Sequence, residues 1–215
     1  MADTNQSRKP AREVVTELFQ LFGSVGWPNF GEAPTLDAFS RQGQAGYIGE
    51  AVSQLEHSLQ TADAARKSNA DDATVCAALL HDVGQFLPSS TASDMFTDGV
   101  SVGKTSHEAI GAAYLASLGF PAKVCELVGA HVIAKRYLTA TEPGYLEALS
   151  SASKASLRHQ GGPFTLDEVK LFEQDPLVQA KIGLRRWDDG AKRTDIKGSP
   201  LESFRSAVEN AYNQT

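Results

Sequence analysis

Three observations on this 215-residue chain predict an all-α fold. Apolar residues recur at intervals of three and four through most of its length, the period of helices with one buried face. Helix-stopping residues close several of those segments, at Gly84, Gly119 and Pro121. No run shows the apolar–polar alternation of a strand, and no internal repeat is present. The length suits a single domain with a sizeable core, and the 41% hydrophobic and 21% charged fractions are those of an ordinary globular chain.

The elements follow in order. Residues 1–11 are polar and are expected to fray. From Arg12 to Phe22, the positions Val14, Val15, Leu18, Phe19, Leu21 and Phe22 make a short amphipathic helix. Residues 23–46 hold five glycines and two prolines around Trp27, Phe30 and Phe39, so a long loop with aromatic anchors is expected, a type often functional. Residues 1–45 thus read as an N-terminal extension and 46–215 as the helical domain proper.

A helix is predicted over 47–68, with Tyr47, Glu50, Gln54 and His57 on one face. A second runs from Asp71 to His81 and closes at Gly84, and a polar loop spans 85–105. His107 opens a helix over Ser106–Leu118. The next, over 122–138, sets His131 and Lys135 four apart on one side. Further helices are expected at 143–158, 165–173, 176–194 and 200–213.

Charge and composition exclude some functions. A net charge of −6 argues against general nucleic-acid binding, which draws on a basic excess. No segment approaches 18 continuous apolar residues and the N-terminus lacks an apolar signal stretch, so no membrane association and a cytoplasmic location are expected. Cys76 and Cys125 lie in apolar helical patterns without CxxC spacing, and read as small buried hydrophobes rather than zinc ligands.

The chemistry concentrates on the dipeptide His81-Asp82 at the end of an apolar helix. An aspartate in that setting needs a metal or a paired charge. Taken singly, a helical histidine is an ordinary hydrogen-bonded core residue. Here four of the five histidines fall into one ordered series with two aspartates: His57, His81, Asp82, His107, His131 and Asp188. Imidazoles and carboxylates suit iron, manganese or zinc, and a carboxylate such as Asp82 can bridge two ions.

That order resembles the HD-domain superfamily of helical metalloproteins, most of which are phosphohydrolases. Finer detail is similar to a smaller branch, the mixed-valent diiron oxygenases that cleave phosphonates, such as the 2-amino-1-hydroxyethylphosphonate dioxygenases and their trimethylammonio-phosphonate relatives. The likeness lies in Tyr47-Ile48-Gly49-Glu50 leading to His57, in His131-Val132-Ile133-Ala134-Lys135-Arg136, in Gln160-Gly161-Gly162-Pro163 and in Arg185-Arg186-Trp187-Asp188. It extends over roughly residues 45–195. The resemblance implies an HD-domain helical bundle with two iron ions, Fe(II) and Fe(III), and O2 as co-substrate.

The resemblance further implies that His57, His81, Asp82 and Asp188 hold one iron, and that Asp82 bridges to a second held by His107 and His131. Tyr47 and Glu50 match a gating pair, while Lys135, Ser153 and Arg185 match phosphonate-contacting positions. Lys135 lies one helical turn after His131 and Arg185 three residues before Asp188, offsets that would set a cation beside the metals. Gln85 stands where the branch carries a second histidine, and keeps a hydrogen-bond donor without a charge.

The expected reaction is therefore oxidative cleavage of the C–P bond of a 1-hydroxyalkylphosphonate, 2-amino- or 2-trimethylammonio-substituted, giving phosphate and a carboxylic acid. The alternative is a metal-dependent phosphohydrolase of nucleotides or phosphate esters, which would need no oxygen. The expected partner in either case is a small molecule.

Overall fold

The computed structural model describes residues 8–26, 52–87, 93–97 and 99–214; Tyr47, Glu50 and the aromatic anchors of the predicted loop lie outside them. Helix α1, Ala11–Gly26, buries Val14, Val15, Leu18, Phe19 and Phe22 on the stripe their spacing predicts. Helix α2, Gln54–Lys67, begins later than the periodicity suggests. Ser53 is its extended N-cap, and its hydroxyl accepts the Glu56 backbone N–H at 3.1 Å.

Helix α3, Asp72–Leu80, is the centre of the molecule. Asp71 caps it through the Thr74 backbone N–H, at 2.9 Å, and every residue from Ala73 to Leu80 is buried. Helices on several sides enclose it, which explains a sequence apolar all round rather than striped. Its neighbours are α2, α6 (Ala122–Thr141), α10 (Val178–Gly190) and the C-terminal α11 (Arg205–Asn213), which follows a 3-10 turn at Leu201–Phe204. Leu59, Leu127, Leu184, Phe204 and Tyr212 complete this core.

The chain departs from the sequence reading after α3. His81 and Asp82 form a turn, and a short helix α4, Val83–Phe86, runs straight through Gly84. Gly84 is therefore not a helix stop. A Cβ there would lie 2.0 Å from the His107 carbonyl oxygen and 2.8 Å from the Gly111 nitrogen. The glycine exists for contact between the backbones of α4 and α5, His107–Leu118. Gly119, by contrast, ends α5 as predicted, in the left-handed conformation at φ 93°.

The segment predicted as a loop over 85–105 carries an antiparallel hairpin, β1 Asp94–Thr97 and β2 Val100–Lys104, with Phe96 opposite Ser101 and Thr97 opposite Val100. The strands are too short for alternation to register, yet Asp98-Gly99 is a hairpin-turn dipeptide. Met95 and Val102 face inward and pack on Ala155. The helix predicted over 143–158 is divided at Leu149-Ser150 into α7, Tyr145–Ala148, and α8, Ser151–His159. The break follows from Ser150, whose hydroxyl caps α8 by accepting the Ser153 N–H at 3.2 Å. Helix α9, Leu166–Phe172, starts with a Thr165–Glu168 capping box. Both cysteines are free, and burial pushes the Cys76 thiol pKa far up. Among the described residues, no helix is long and apolar enough to cross a membrane.

Candidate metal centre

Five elements deliver the His/Asp series to one point. His57 lies on α2, His81 and Asp82 in the turn ending α3, His107 at the first position of α5, His131 within α6 and Asp188 within α10. All six are buried, none more than 5% exposed. Ser106, in the left-handed region at φ 55°, turns the chain from β2 into α5 so that His107 meets the others.

Each histidine has one nitrogen bound to a backbone carbonyl. His57 Nδ1 lies 2.9 Å from the Ala191 oxygen, His81 Nδ1 2.8 Å from that of Ala78, His107 Nδ1 3.0 Å from that of Lys104 and His131 Nδ1 2.8 Å from that of Val128. A carbonyl only accepts, so each Nδ1 carries the proton and each neutral ring keeps a lone pair on Nε2. Those lone pairs face one another: His57 and His81 Nε2 are 3.1 Å apart, and His107 and His131 Nε2 3.0 Å apart.

The carboxylates enter the same two spaces. Asp82 Oδ2 is 3.5 Å from His81 Nε2 and 3.9 Å from His57 Nε2, while Oδ1 is 3.2 Å from His107 and 3.6 Å from His131. Asp188 Oδ1 is 3.3 Å from His57 Nε2. Buried Asp82 Oδ2 and Asp188 Oδ1 have no hydrogen-bond partner among the described residues. Acceptors thus converge on acceptors, an arrangement only cations stabilise. Metal–ligand bonds of ~2.0–2.2 Å put neighbouring ligand atoms of a tetrahedral or octahedral site roughly 3–3.5 Å apart, close to these separations. The residues fit two cations, one among His57, His81 and Asp82 and one among Asp82, His107 and His131, with Asp82 common to both.

The electrostatics prepare the ligands. Burial lowers the pKa of His81, and burial with the neighbouring His107 brings His131 down to about 3, which keeps both imidazoles neutral. His107 moves the other way: burial opposes its charge, but Asp82 outweighs it. Burial also disfavours the Asp82 and Asp188 carboxylates. The surrounding histidines nevertheless hold Asp82 well below the carboxylate range, and Arg185 and His57 do so for Asp188. Asp188 divides its oxygens, Oδ2 taking the Arg185 guanidinium at 2.7 Å and Oδ1 facing His57.

Beside this cluster is a cavity of about 40 Å³, reached by Asp82, His107, His131 and Asp188. Gln85, Lys135, Ser153 and Arg185, the four positions singled out from sequence, all line it. Lys135 is 2% exposed, donates to Ser156 Oγ at 3.0 Å, and among the described residues forms no ion pair. Burial, and then the Arg185 charge, push its pKa down to about 7. Gln85 is oriented by β2: its Oε1 accepts the Lys104 N–H at 2.9 Å, and its buried Nε2 has no partner among the described residues. The carbonyl of the same residue, Lys104, accepts from His107 Nδ1.

Sequence reading missed three contributors: the Ala191 carbonyl behind His57, Ser156 under Lys135, and Lys192. Ser156 lies three residues beyond Ser153 on α8, and Lys192 four beyond Asp188, the same offset that singles out Lys135 after His131. That offset was the available signal.

The HD domain family matches residues 55–166. The chain is 40% identical over 215 residues to hydroxymethylphosphonate dioxygenase of Gimesia maris, covering 100% of this chain and 96% of that protein. Residues 1–45, for which the family resemblance supplies no counterpart, therefore fall within that match. It is 39% identical over 176 residues to the glycine-betaine-forming 1-hydroxy-2-(trimethylamino)ethyl phosphonate dioxygenase of Leisingera caerulea, covering 82% and 87%. An uncharacterized protein of Acanthamoeba polyphaga mimivirus is 34% identical over 173 residues, covering 80% and 78%. The matched segment holds five of the six converging ligands and the Gimesia maris match runs through the sixth, so the chain belongs to the HD-domain family, as a relative of its phosphonate dioxygenases.

Proposed function

We propose that the chain is a cytosolic mixed-valent diiron oxygenase that cleaves the C–P bond of a 1-hydroxyalkylphosphonate. The observation that carries this reading is a buried lysine, Lys135, with no carboxylate ion-pair partner among the described residues, in the wall of a cavity that also meets Asp82, the residue shared by the two cation sites, with His107 and His131. A buried ammonium calls for an anion, and a phosphonate beside two metals supplies one. His57, His81, Asp82 and Asp188 would hold one iron, and Asp82, His107 and His131 the other. Bound there, the iron pair would activate O2 for oxidation at C1. In the balanced reaction one oxygen atom enters the carboxylic acid and the other the phosphate.

The chain's own groups orient the substrate. Lys135 and Arg185 neutralise the phosphonate, and Ser153 offers it a hydroxyl. Gln85 directs Nε2–H toward the substrate from a position set by Lys104. These donors leave the hydroxyl-bearing carbon turned toward the metal side. For Tyr47 and Glu50 we propose the gating roles that the family resemblance implies, the tyrosine occupying the site until substrate displaces it.

Iron-loaded protein should consume O2 and release phosphate in equal amounts from at least one of hydroxymethylphosphonate and its 2-amino and 2-trimethylammonio homologues. Aerobically purified protein should give the EPR signal of a coupled Fe(II)/Fe(III) pair. Silence across that panel, with phosphate ester hydrolysis under anaerobic manganese, would establish the phosphohydrolase alternative instead.

A further inference from the structure

The ligand series ends in an aspartate pair, Asp188-Asp189, whose two members have different tasks. Asp188 turns Oδ1 toward His57 Nε2, at 3.3 Å, and gives Oδ2 to Arg185 Nη1 at 2.7 Å. Asp189, four residues after Arg185 on α10, takes the guanidinium in a two-point grip. Its Oδ2 accepts the Arg185 Nε–H at 3.1 Å and its Oδ1 accepts from Nη2. Both Asp189 oxygens are committed to the arginine, so Asp188 alone of the pair is left to serve a metal.

A third residue closes the arrangement from another element. Tyr145 opens α7, and its hydroxyl accepts from Arg185 Nε at 3.2 Å and donates to Asp189 Oδ2. Its ring is buried with Leu138, Leu149 and Leu157, so a packed cluster delivers that hydroxyl. At the surface, Arg186 Nη2 meets Glu142 at 2.6 Å, a second tie between α10 and the segment entering α7. A guanidinium has five N–H groups. Nε and one N–H of Nη2 go to Asp189 and one N–H of Nη1 to Asp188, which leaves one on each Nη where Arg185 lines the cavity.

Arg185 thus stands between a metal ligand and a clamp. A carboxylate can bind a metal through one oxygen or two, and the hold of Arg185 on Oδ2 favours the first mode for Asp188. An arginine side chain is long and rotamer-rich, and ordering it costs entropy, so the grip of Asp189 and Tyr145 decides where that hold is applied. We propose that Asp189 and Tyr145 are positioning residues for the metal centre: they fix Arg185, which keeps Asp188 a one-oxygen ligand and aims two N–H groups at the substrate anion. The part concerning the anion rests on the function proposed above; the part concerning Asp188 does not.

Manganese(II) titration of the metal-free protein, followed by calorimetry, tests the clamp without requiring turnover. Asp189→Asn keeps the shape but removes the charge and one acceptor. The ion that Asp188 serves should bind about 10–100-fold more weakly, with the other within about twofold of wild type. Tyr145→Phe leaves the ring in its cluster and should weaken the same ion about 3–10-fold. In an Arg185→Lys background, where no fork remains to be gripped, neither change should add more than about twofold. Unchanged binding of both ions in Asp189→Asn would overturn the proposal. So would equal losses at both ions with a matching fall in Tm, or full effects in the Arg185→Lys background. If Asp189→Asn does not fold, Tyr145→Phe decides by the same criteria. With iron bound, both variants should also raise KM for the 1-hydroxyphosphonate about 3–10-fold, and a KM within twofold would overturn the aim at the anion. A wild type that turns over no 1-hydroxyphosphonate refutes the oxygenase reading, while the titration still decides the clamp.

Discussion

The cavity has two walls of opposite character. One belongs to the metal-ligand cluster, where imidazole lone pairs and two carboxylates converge as acceptors and from which Asp82, His107, His131 and Asp188 reach the cavity. On the other, Lys135, Lys192, Arg185 and the Nε2 of Gln85 converge, every one a donor. The first gathers acceptors and the second gathers donors, so cations suit the one and an anion suits the other. Together they describe what must lie between them: cations against the first wall and an anion against the second. The difference teaches that the ligand can be read from what the protein leaves unsatisfied, with metal and phosphonate completing each other's charge.

The comparison breaks most completely at Asp82, among the described residues the one that serves both cation sites. Asp82→Ala should abolish turnover and reduce bound iron close to zero by metal analysis, whereas loss of only one ion would contradict the bridging role. Next is Gly84→Ala, which alters no residue lining the cavity directly. Its Cβ would push on the His107 carbonyl from 2.0 Å, displacing the start of α5. Turnover should fall at least about 100-fold with roughly half the iron lost, since a misplaced ligand forfeits geometry as well as affinity.

The donor wall is tested at Lys135. Removing its charge should raise KM roughly 10–100-fold while leaving iron content intact. The same change should help the metal-free fold. Burial, then Arg185, brings the Lys135 pKa to about 7 from an ordinary 10.5, so between those values the unfolded chain binds more protons than the folded one. The destabilisation is full below about pH 7 and fades as pH rises toward 10.5. Lys135→Met should therefore raise the Tm of the metal-free protein most near about pH 6, with a gain that shrinks steadily at alkaline pH. A gain independent of pH would mean that shape, not charge, was responsible. The smallest effect is expected for Gln85→Leu, which removes one neutral donor: a rise in KM of about 3–10-fold, greatest for the substrate whose carbon end lies nearest the amide.

The legible parts of the sequence were those that obey a short period. The stripe on α1 follows from apolar spacing, and Lys135 follows from its offset to His131 because both lie on one continuous helix. The failures share a cause. Gly84 resembles a helix stop in sequence but is a contact point between helices, which only the position of His107 reveals. The break at Ser150 depends on a capping hydroxyl that competes with helix continuation, and the hairpin strands are too short to show a period.

By itself, the sequence determined the helical class and the cast of ligands, because helix periodicity and the chemistry of imidazole and carboxylate are local properties. It also pointed to cations beside the site, through offsets along single helices. Only the tertiary structure decided that the ligands form two groups sharing Asp82, that each ligand Nδ1 is held by a carbonyl, and that Lys135 of α6 rests on Ser156 of α8. Those facts depend on where separate elements meet, and that is set by packing around α3 rather than by any residue's neighbours in the chain.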